Sequence, residues 1–430
     1  MTPVAVGIIG VAMLLILIAL RCPVALAMAA VGLFGFATLV AWGPAVSITG
    51  SAPYEILTRY SFSPIPLFIF MGCLAAQAGM ARELFDGARS LFGSWPGGMA
   101  LSGISACGVF SAISGSSVAT AATMTRVALP EMERNGYAPS LAAGSLAAGG
   151  TLGIMIPPSI ALLLYALITQ QSVGDMFIAG LVPGLLGIVF YSATIAIIVW
   201  LKPEVSGQSQ ATSLHAKGRA LLGMAPFLLV FVIIMGGLYG GWFTPTEAAG
   251  VGAFVTLIIA LLRGMRLRGL GEALSDALAT SALIFFMLMG VQVFGYFLAV
   301  SRLPSVFADM FSVLGLGPTG ILLCILAMYV VLGCFMDAIA MMLLTVPVVF
   351  PLIMQAGYDP VWFGVVTVLT VEMGLITPPV GMNVFVINAT ARHVPIGQIF
   401  RGVWPFLASD VVRLALLVLF PAIATWLVYH

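Results

Sequence analysis

Two short stretches of the sequence concentrate oxygen-bearing side chains inside apolar surroundings. The first stretch carries five hydroxyl residues: Ser111, Ser114, Ser116, Ser117 and Thr120. The second stretch, residues 333–338, is Gly-Cys-Phe-Met-Asp-Ala and contains the carboxylate of Asp337. Hydroxyl and carbonyl oxygens without thiolate or imidazole groups suit a hard monovalent cation such as Na⁺ rather than a transition metal. We therefore expect the two stretches to bind an ion.

Two proline pairs interrupt long apolar runs at matching places. Residues 151–158 are Thr-Leu-Gly-Ile-Met-Ile-Pro-Pro, and residues 372–379 are Glu-Met-Gly-Leu-Ile-Thr-Pro-Pro. Because proline lacks a backbone N–H and clashes with the preceding turn, both helices are predicted to open near Pro157 and Pro378. Open backbone at membrane depth is tolerated only where it is buried in protein or lines a polar cavity. Two broken helices in corresponding positions indicate the binding site of a transporter.

The broken helices add further candidate ligands. Freed carbonyls are expected around Gly153, Met155 and Gly374, and the side chains nearby are Ser159, Thr377 and Asn383. The helices that restart after the proline pairs point their positive dipole ends inward, which favours a carboxylate substrate. For any single serine or threonine, a hydrogen bond to the helix backbone is the competing interpretation.

Three ionisable residues within apolar segments are functional candidates by default. Glu372 could neutralise a bound cation or act as a proton site, but it could equally be a structural partner for an arginine such as Arg413. Asp337 lies at a predicted hairpin tip and is assigned a functional role. Arg126 could meet the substrate carboxylate, although snorkelling or pairing with Glu131 is the competing interpretation.

A near-constant spacing relates the two halves of the chain. Prolines 157 and 158 recur as prolines 378 and 379 at an offset of 221 residues, and Pro130 recurs as Pro351 at the same offset. This pattern predicts a duplicated fold with a first inverted repeat at 1–201, a cytoplasmic linker at 202–219 and a second inverted repeat at 220–430.

Composition places the chain in a membrane. Of the 430 residues, 61% are hydrophobic and 7% are charged, and several runs approach the ~20 residues that cross a bilayer. No basic patch suggests nucleic acid, and no phosphate-cradling GxxxxGK[ST] motif suggests a built-in ATPase. The five cysteines form no CxxC pair and are interpreted as packing residues.

The predicted elements follow the same order in both halves. The first half is predicted to contain spans 4–20, 24–42 and 64–80, a loop at 43–63, an amphipathic arm at 81–96, a re-entrant hairpin at 97–134, a broken span at 138–169 and a span at 176–201. The second half is predicted to contain spans 220–239, 246–262 and 276–300, an arm at 302–317, a hairpin at 318–355, a broken span at 358–391 and a last span at 398–428. Two short spans, or one span rich in small residues, are the alternative for the first hairpin.

The distribution of loop charge sets the expected orientation. With a periplasmic N-terminus, twelve basic residues fall on the cytoplasmic side against Arg59 and Arg302 on the opposite side, a strong positive-inside bias. The twelve are Arg21, Arg82, Arg89, Arg134, Lys202, Lys217, Arg219, Arg263, Arg266, Arg268, Arg392 and Arg401. Both termini are predicted to be periplasmic in a multi-pass protein of the bacterial inner membrane.

Four segments together resemble a known family. They are residues 113–117 (Ile-Ser-Gly-Ser-Ser), 147–159 (Ala-Ala-Gly-Gly-Thr-Leu-Gly-Ile-Met-Ile-Pro-Pro-Ser), 241–250 (Gly-Trp-Phe-Thr-Pro-Thr-Glu-Ala-Ala-Gly) and 372–383 (Glu-Met-Gly-Leu-Ile-Thr-Pro-Pro-Val-Gly-Met-Asn). The chain resembles the large membrane subunit, of the DctM type, of tripartite ATP-independent periplasmic (TRAP) transporters.

The resemblance implies an all-α elevator-type transporter driven by a Na⁺ gradient, with no other cofactor. It implies a separate small four-helix membrane subunit and a soluble periplasmic binding protein that delivers a small organic acid, usually a carboxylate or sulfonate. Carried over to this sequence, the sodium ligands are Ser114, Gly115 and Ser117 with Gly153 and Met155, and Gly333 and Asp337 with Gly374 and Thr377. The substrate ligands are assigned to Ser116, Ser117, Ser159, Asn383 and Arg126.

Two other functions compete with a sodium-coupled TRAP permease. A self-sufficient sodium/carboxylate symporter of similar architecture would need no binding protein. An intramembrane enzyme or a receptor would need paired catalytic side chains facing a cavity, whereas the sequence offers only isolated Glu372 and Asp337.

Overall fold

The computed structural model describes residues 2–208, 214–303, 306 and 317–429. Within these ranges the secondary structure is helical, apart from one isolated bridge between Tyr137 and Ser206. Seven helices in the described ranges are long and apolar enough to cross a membrane. The prediction of an all-α polytopic membrane protein is therefore confirmed.

The first half contains ten α-helices. They are Pro3–Ala19, Val24–Leu39, Trp42–Thr58, Pro64–Gln77, Met80–Phe92, Gly98–Ser114, Ser117–Arg134, Pro139–Thr151, Ile160–Thr169 and Val173–Leu201. The described part of the second half contains nine: Leu214–Tyr239, Pro245–Leu262, Leu267–Ser301, Pro318–Gly333, Ala338–Gln355, Pro360–Ile376, Met382–Thr390, Ile396–Leu419 and Ala422–Tyr429.

Two helical hairpins and two broken helices recur in the same order in both halves. The first hairpin is Gly98–Ser114 with Ser117–Arg134, and the second hairpin is Pro318–Gly333 with Ala338–Gln355. The first broken helix stops after a 3-10 turn at Leu152–Ile154 and restarts at Ile160; the second stops at Ile376 and restarts at Met382. Both intervening proline pairs contain a cis peptide bond. The predicted tips and breaks thus lie where the sequence indicated.

Residues 43–63 are not the predicted loop, because a helix covers Trp42–Thr58. The prediction rested on the glycines, prolines and serines of this segment, which are poor helix formers. Ala45, Ala52 and Ile56 are buried and lie on one face of the helix, which packs against Val24–Leu39 and Leu267–Ser301. Packing against two long helices therefore outweighs the weak local propensity.

The last span is two helices rather than the single predicted span 398–428. Ile396–Leu419 ends at Phe420, and Ala422–Tyr429 follows Pro421. Proline cannot supply the backbone N–H that a continuous helix would use at this position. The apolar composition continues across the break, and hydropathy alone did not reveal it.

Two further boundaries differ from the predictions. The span predicted at 276–300 is the helix Leu267–Ser301, because its polar first turns stay helical and Arg268 pairs with Glu272 at 3.1 Å. The predicted linker 202–219 is helical from Leu214 onward, and residues 209–213 lie outside the described residues.

The two predicted arms have different outcomes. The first arm forms the helix Met80–Phe92 and stops short of residue 96 because residues 93–97 form turns. The second arm, 302–317, lies almost entirely outside the described residues.

Small residues let the helices that carry the hairpins and breaks approach closely. A Cβ atom on Gly144 of Pro139–Thr151 would lie 2.5 Å from the carbonyl carbon of Gly402 in Ile396–Leu419. A Cβ on Gly32 of Val24–Leu39 would lie 2.7 Å from the backbone nitrogen of Phe294. Backbone contact of this kind is typical of helix packing in membranes. Lipid provides no hydrophobic driving force between helices there, and small residues allow the close van der Waals contact that holds them together.

Candidate functional site

The tip of the first hairpin is a two-residue turn. Gly115 adopts φ +59°, a conformation that glycine reaches without steric cost, and it ends the first helix of the hairpin. Ser116 then caps the second helix, and its hydroxyl accepts a hydrogen bond from the backbone N–H of Ala119 at 3.3 Å. The Ser114 and Thr120 hydroxyls are 2.7 Å apart across the turn. With Ser117, the tip therefore holds four hydroxyls within about one turn of each helix.

This tip lies directly against the first break. A Cβ on Gly153 would lie 2.8 Å from the carbonyl oxygen of Ser116 and 3.0 Å from the backbone nitrogen of Ser117. A Cβ on Gly115 would lie 3.3 Å from the carbonyl oxygen of Pro158. Because Gly115 and Gly153 have no side chain, the backbone of the tip can contact the opened backbone of the first broken helix.

Two other residues near the first break, Met155 and Ser159, have neighbours other than the hairpin tip. The carbonyl oxygen of Met155 faces Gly180, where a Cβ would lie 3.0 Å away from it. The hydroxyl of Ser159 caps the restarting helix by accepting from Leu162 N–H at 3.2 Å, and it donates to the carbonyl of Ile154. Ser159 thus binds helix backbone on both sides, which was the competing interpretation for single serines.

The second tip and the second break meet through two glycines. A Cβ on Gly333 would lie 2.8 Å from the Cα of Gly374, and a Cβ on Gly374 would lie 2.6 Å from the Cα of Gly333. Cys334 joins the same contact, since its carbonyl accepts from Gly381 N–H at 3.3 Å and its thiol lies 3.3 Å from the carbonyl of Pro378. The second half therefore repeats the contact between tip and break.

Asp337 and Thr377 are held by backbone hydrogen bonds at this second contact. The Oδ1 atom of Asp337 accepts from Ile339 N–H at 2.9 Å and from Ala340 N–H at 3.1 Å. The Thr377 hydroxyl donates to the carbonyl of Met373 at 2.6 Å. A hydroxyl that donates one bond keeps lone pairs to accept others, and the second carboxylate oxygen of Asp337 is not used by the cap. Both residues retain oxygen lone pairs for a cation.

The two halves interlock through the restarting helices. Met382–Thr390 packs against Ser117–Arg134 of the first hairpin, and Ile160–Thr169 packs against Ala338–Gln355 of the second hairpin. Asn383 adds a polar link, because its amide nitrogen donates to the carbonyl of Ala147 at 3.3 Å. The Asn383 side chain is fully buried, and its amide oxygen has no hydrogen-bond partner among the described residues. A buried amide oxygen without a partner can accept a hydrogen bond from a ligand or coordinate a cation.

Arg126 is not brought to the tips. Its side chain is exposed and lines a cavity of about 280 Å³ beside the arm helix Met80–Phe92. The carboxylate of Glu131 in the same cavity pairs with Arg89 at 3.3 Å and with Arg134 at 3.0 Å. The structure therefore places Arg126 in a charged cluster at the far end of the first hairpin.

Glu372 belongs to a buried charge network. Its Oε2 atom lies 2.6 Å from Nη2 of Arg413, and the same nitrogen lies 3.2 Å from Oδ1 of Asp410. The other oxygen of Asp410 accepts from the Tyr191 hydroxyl at 2.7 Å, which in turn lies 3.1 Å from the Thr151 hydroxyl. All five side chains are buried. Glu372 thus has the arginine partner that one of the two sequence interpretations named.

Sequence reasoning missed Asp410 and Tyr191. Asp410 precedes Arg413 by one helical turn within an apolar segment, and this i, i+3 spacing of opposite charges was the available signal. Nothing in the sequence identified Tyr191, because an aromatic residue in a span is ordinarily a packing residue.

The donor set at the two contacts fits a hard cation. Hydroxyl and carbonyl oxygens lie at the first contact, and the carboxylate of Asp337 adds a negative charge at the second. Among the described residues, no group of three or more His, Cys, Asp and Glu side chains is placed to hold a metal.

Comparison with protein families matches residues 11–423 to the family described as tripartite ATP-independent periplasmic transporter, DctM component. The C4-dicarboxylate TRAP transporter large permease protein DctM of Pseudomonas aeruginosa is 37% identical over 398 residues, which cover 91% of this chain and 92% of the relative. The sialic acid TRAP transporter large permease protein SiaM of Vibrio cholerae is 34% identical over 372 residues, which cover 85% of each.

A third relative is longer than this chain. The isethionate TRAP transporter permease protein DctMQ of Oleidesulfovibrio alaskensis is 34% identical over 91% of this chain and 62% of its own length. Among solved structures, the YdaH transporter of Alcanivorax borkumensis is similar with a TM-score of 0.62 at 14% identity, over 92% of this chain and 88% of that one. At this identity the likeness concerns the fold alone.

Proposed function

The chain belongs to the DctM component family of the TRAP transporters, and on this premise we propose that it carries a small organic acid across the bacterial inner membrane by sodium-coupled secondary transport. The observation that carries the proposal is the repeated contact between a hairpin tip and a helix break. In each half, glycines bring opened backbone against a tip that bears hydroxyls or a carboxylate.

Sodium would be held at these two contacts. The residues of the first are Ser114, Gly115, Ser117 and Gly153, and those of the second are Gly333, Asp337, Gly374 and Thr377. A bound sodium ion supplies positive charge beside the substrate and couples its movement to the sodium gradient. The protein supplies oxygens that are already ordered by hydrogen bonds within the hairpins and broken helices, so little rearrangement is needed when the ion binds.

The substrate would lie between the two contacts, near the restarting helices. Met382–Thr390 and Ile160–Thr169 begin at the breaks, and their N-terminal N–H groups favour an anion. Ser116, Ser117 and Asn383 are the side chains that remain suitable for recognition, whereas Ser159 serves as a cap and Arg126 lies away from the tips. Relatives named for C4-dicarboxylates and for sialic acid support an organic acid as the substrate class.

An elevator movement would carry this site across the membrane. The moving body would consist of the hairpins and broken helices, which pack closely on one another. The helices Val24–Leu39 and Leu267–Ser301, which pack against each other, would belong to the stationary scaffold. The positive-inside bias supports a periplasmic N-terminus and a periplasmic C-terminus.

Membership of a tripartite family implies two protein partners, a small membrane subunit and a periplasmic binding protein. We assign the small subunit four helices and a place beside the scaffold. The binding protein would deliver the organic acid and do most of the selecting.

Uptake into proteoliposomes tests the proposal. The chain would be reconstituted with its small subunit, and uptake of radiolabelled C4-dicarboxylates and sialic acid would be measured with and without binding protein. An inward sodium gradient would be compared with an equal potassium gradient. Uptake that requires both partners and sodium is the expected result.

Two other outcomes would contradict the proposal in different ways. Uptake by the chain alone would identify a self-sufficient sodium/carboxylate symporter. Equal uptake under both gradients, or none from folded chain with a ligand-loaded binding protein, would overturn sodium coupling.

A further inference from the structure

A long apolar groove lies on the protein surface, away from the hairpin tips. It runs between the helices Val173–Leu201 and Ile396–Leu419 and has a volume of about 950 Å³. From Phe190 to Lys202 the first helix lines it over roughly 18 Å, at a rise of ~1.5 Å per residue. Ile197, Leu201 and Val412 in its lining are 52–64% exposed. Both helices are candidate membrane spans, so the groove opens toward lipid.

One end of this groove is cationic. Lys202 and Arg401 both line it, and no carboxylate does. Within the described part of the chain, neither residue forms an ion pair. The rest of the lining is largely apolar, including Ala193, Pro405 and Ala408. An occupant therefore needs an anionic end and an apolar body.

Exposed aromatic residues place the cationic end at the membrane surface. Trp200 is 80% exposed and Trp404 is 56% exposed, and each lies within three residues of one of the two cations. Tryptophan concentrates at the level of the lipid headgroups, as do the ends of membrane spans that carry Lys or Arg. Lys202 and Arg401 also lie on the side that the charge bias predicts to be cytoplasmic. The cations therefore face the headgroup region of one leaflet.

We propose that this groove binds an anionic phospholipid of the cytoplasmic leaflet, with the phosphate at Lys202 and Arg401 and an acyl chain along the apolar lining. Basic pockets between membrane helices recognise lipid headgroups by the same combination of charge and apolar surface. A helix of a partner protein fits less well. Its side chains would have to include a carboxylate for the two cations, which no carboxylate of the groove lining supplies.

Lipid retention tests the proposal without any measurement of transport. Purified chain would be delipidated in detergent and incubated with phosphatidylglycerol or with phosphatidylcholine of identical acyl chains, and bound lipid would be counted by native mass spectrometry. Phosphatidylglycerol is expected to be retained more strongly. The double variant Lys202→Gln/Arg401→Gln should retain it roughly thirty-fold less, since each interfacial cation contributes to attraction of anionic lipid.

Two variants serve as controls. Arg266→Gln/Arg392→Gln removes the same charge from exposed positions outside the groove and should retain phosphatidylglycerol normally. Ala193→Trp fills the apolar part of the groove and should lower retention of both lipids at unchanged thermal stability.

Three results would overturn the proposal. Equal retention of both lipids by the unsubstituted chain would remove the role of the cations. Equal losses in the two charge variants would show a general surface effect. Displacement of bound lipid by the small membrane subunit, together with failure of Ala193→Trp to assemble with that subunit, would identify the groove as a protein interface.

Discussion

Ser116 and Asp337 occupy the same position in their two hairpins, 221 residues apart. Each caps the second helix of its hairpin, Ser116 through one backbone N–H and Asp337 through two. The capping role is therefore shared, while the negative charge is present at the second tip alone. This difference separates the structural from the electrostatic contribution of Asp337.

Replacing Asp337 by Asn should weaken sodium dependence while the hairpin stays folded. Asparagine caps a helix about as well as aspartate, so the two hydrogen bonds to Ile339 and Ala340 can persist. Loss of a full charge beside a cation should raise the sodium concentration for half-maximal uptake by about tenfold or more. Uptake as a function of sodium concentration, with thermal unfolding in detergent, measures both effects.

Asp359→Asn is the matched control for this variant. Asp359 caps Pro360–Ile376 by accepting from Trp362 N–H at 2.7 Å, and it lies at the opposite end of that helix from the break. The control should leave the sodium response unchanged. A normal sodium response in Asp337→Asn would remove Asp337 from the proposed site.

Adding a methyl group at Gly333 or Gly374 should slow uptake strongly. The new Cβ would lie 2.6–2.8 Å from the Cα of the facing glycine, closer than real Cβ atoms approach, so the tip and the break must separate. Because displacements below 1 Å impair a binding site, we expect at least about a tenfold fall in the uptake rate.

Gly295→Ala provides the comparison for the glycine variants. Gly295 lies inside the helix Leu267–Ser301, and no atom lies within 4 Å of a Cβ built there. Alanine should be neutral or slightly stabilising at this position. Uptake at the normal rate in Gly333→Ala would show that close contact of tip and break is not required.

The sequence predicted the breaks and tips well because each has a local cause. Proline pairs open a helix wherever they occur, and Gly115 and Asp337 mark turns through conformational freedom and capping. Hydropathy was less informative at the segment around Trp42–Thr58, where tertiary packing decides the conformation. It also missed the break at Pro421, where the apolar run continues without interruption.

The polar network around Glu372 could not be predicted in full for a different reason. Its members are Thr151, Tyr191, Glu372, Asp410 and Arg413, contributed by four helices. The offset of 221 relates Thr151 to Glu372, but an offset does not say which side chains of other helices meet them. Contacts between distant helices depend on rotation and register that hydropathy does not encode.

Replacing Glu372 by Gln should destabilise the fold more than it alters sodium dependence. The variant removes the shorter of the two carboxylate contacts of the buried Arg413 guanidinium and leaves Asp410 as its charge partner, and loss of one hydrogen bond between charged groups costs about 1.5–3 kcal/mol. Thermal unfolding should shift downward while the sodium concentration for half-maximal uptake stays the same. Arg413→Met should destabilise the fold more than Glu372→Gln does, because it leaves the carboxylates of Glu372 and Asp410 buried without a cation.

Glu83→Gln is the comparison for the buried pair. Glu83 pairs with Arg263 at 2.5 Å, but its side chain is 41% exposed, and an exposed pair contributes about 0–1 kcal/mol. A large change in sodium dependence in Glu372→Gln, with stability intact, would instead assign Glu372 to cation or proton binding.

Replacing Thr377 by Val should weaken sodium binding through loss of a single oxygen. The Thr377 hydroxyl donates to Met373, so its lone pairs remain available to an ion beside the second break, and valine keeps the shape without the oxygen. We expect the sodium concentration for half-maximal uptake to rise about threefold to tenfold, the effect of losing one neutral ligand worth ~1 kcal/mol. Thr377→Ser should restore the response.

Thr370→Val is the control for this variant. Thr370 lies two turns before Thr377 in the same helix, and its hydroxyl donates to the carbonyl of Val366. The control should leave the sodium concentration for half-maximal uptake unchanged. If Thr370→Val and Thr377→Val change uptake equally, the Thr377 hydroxyl serves the helix backbone and not the ion.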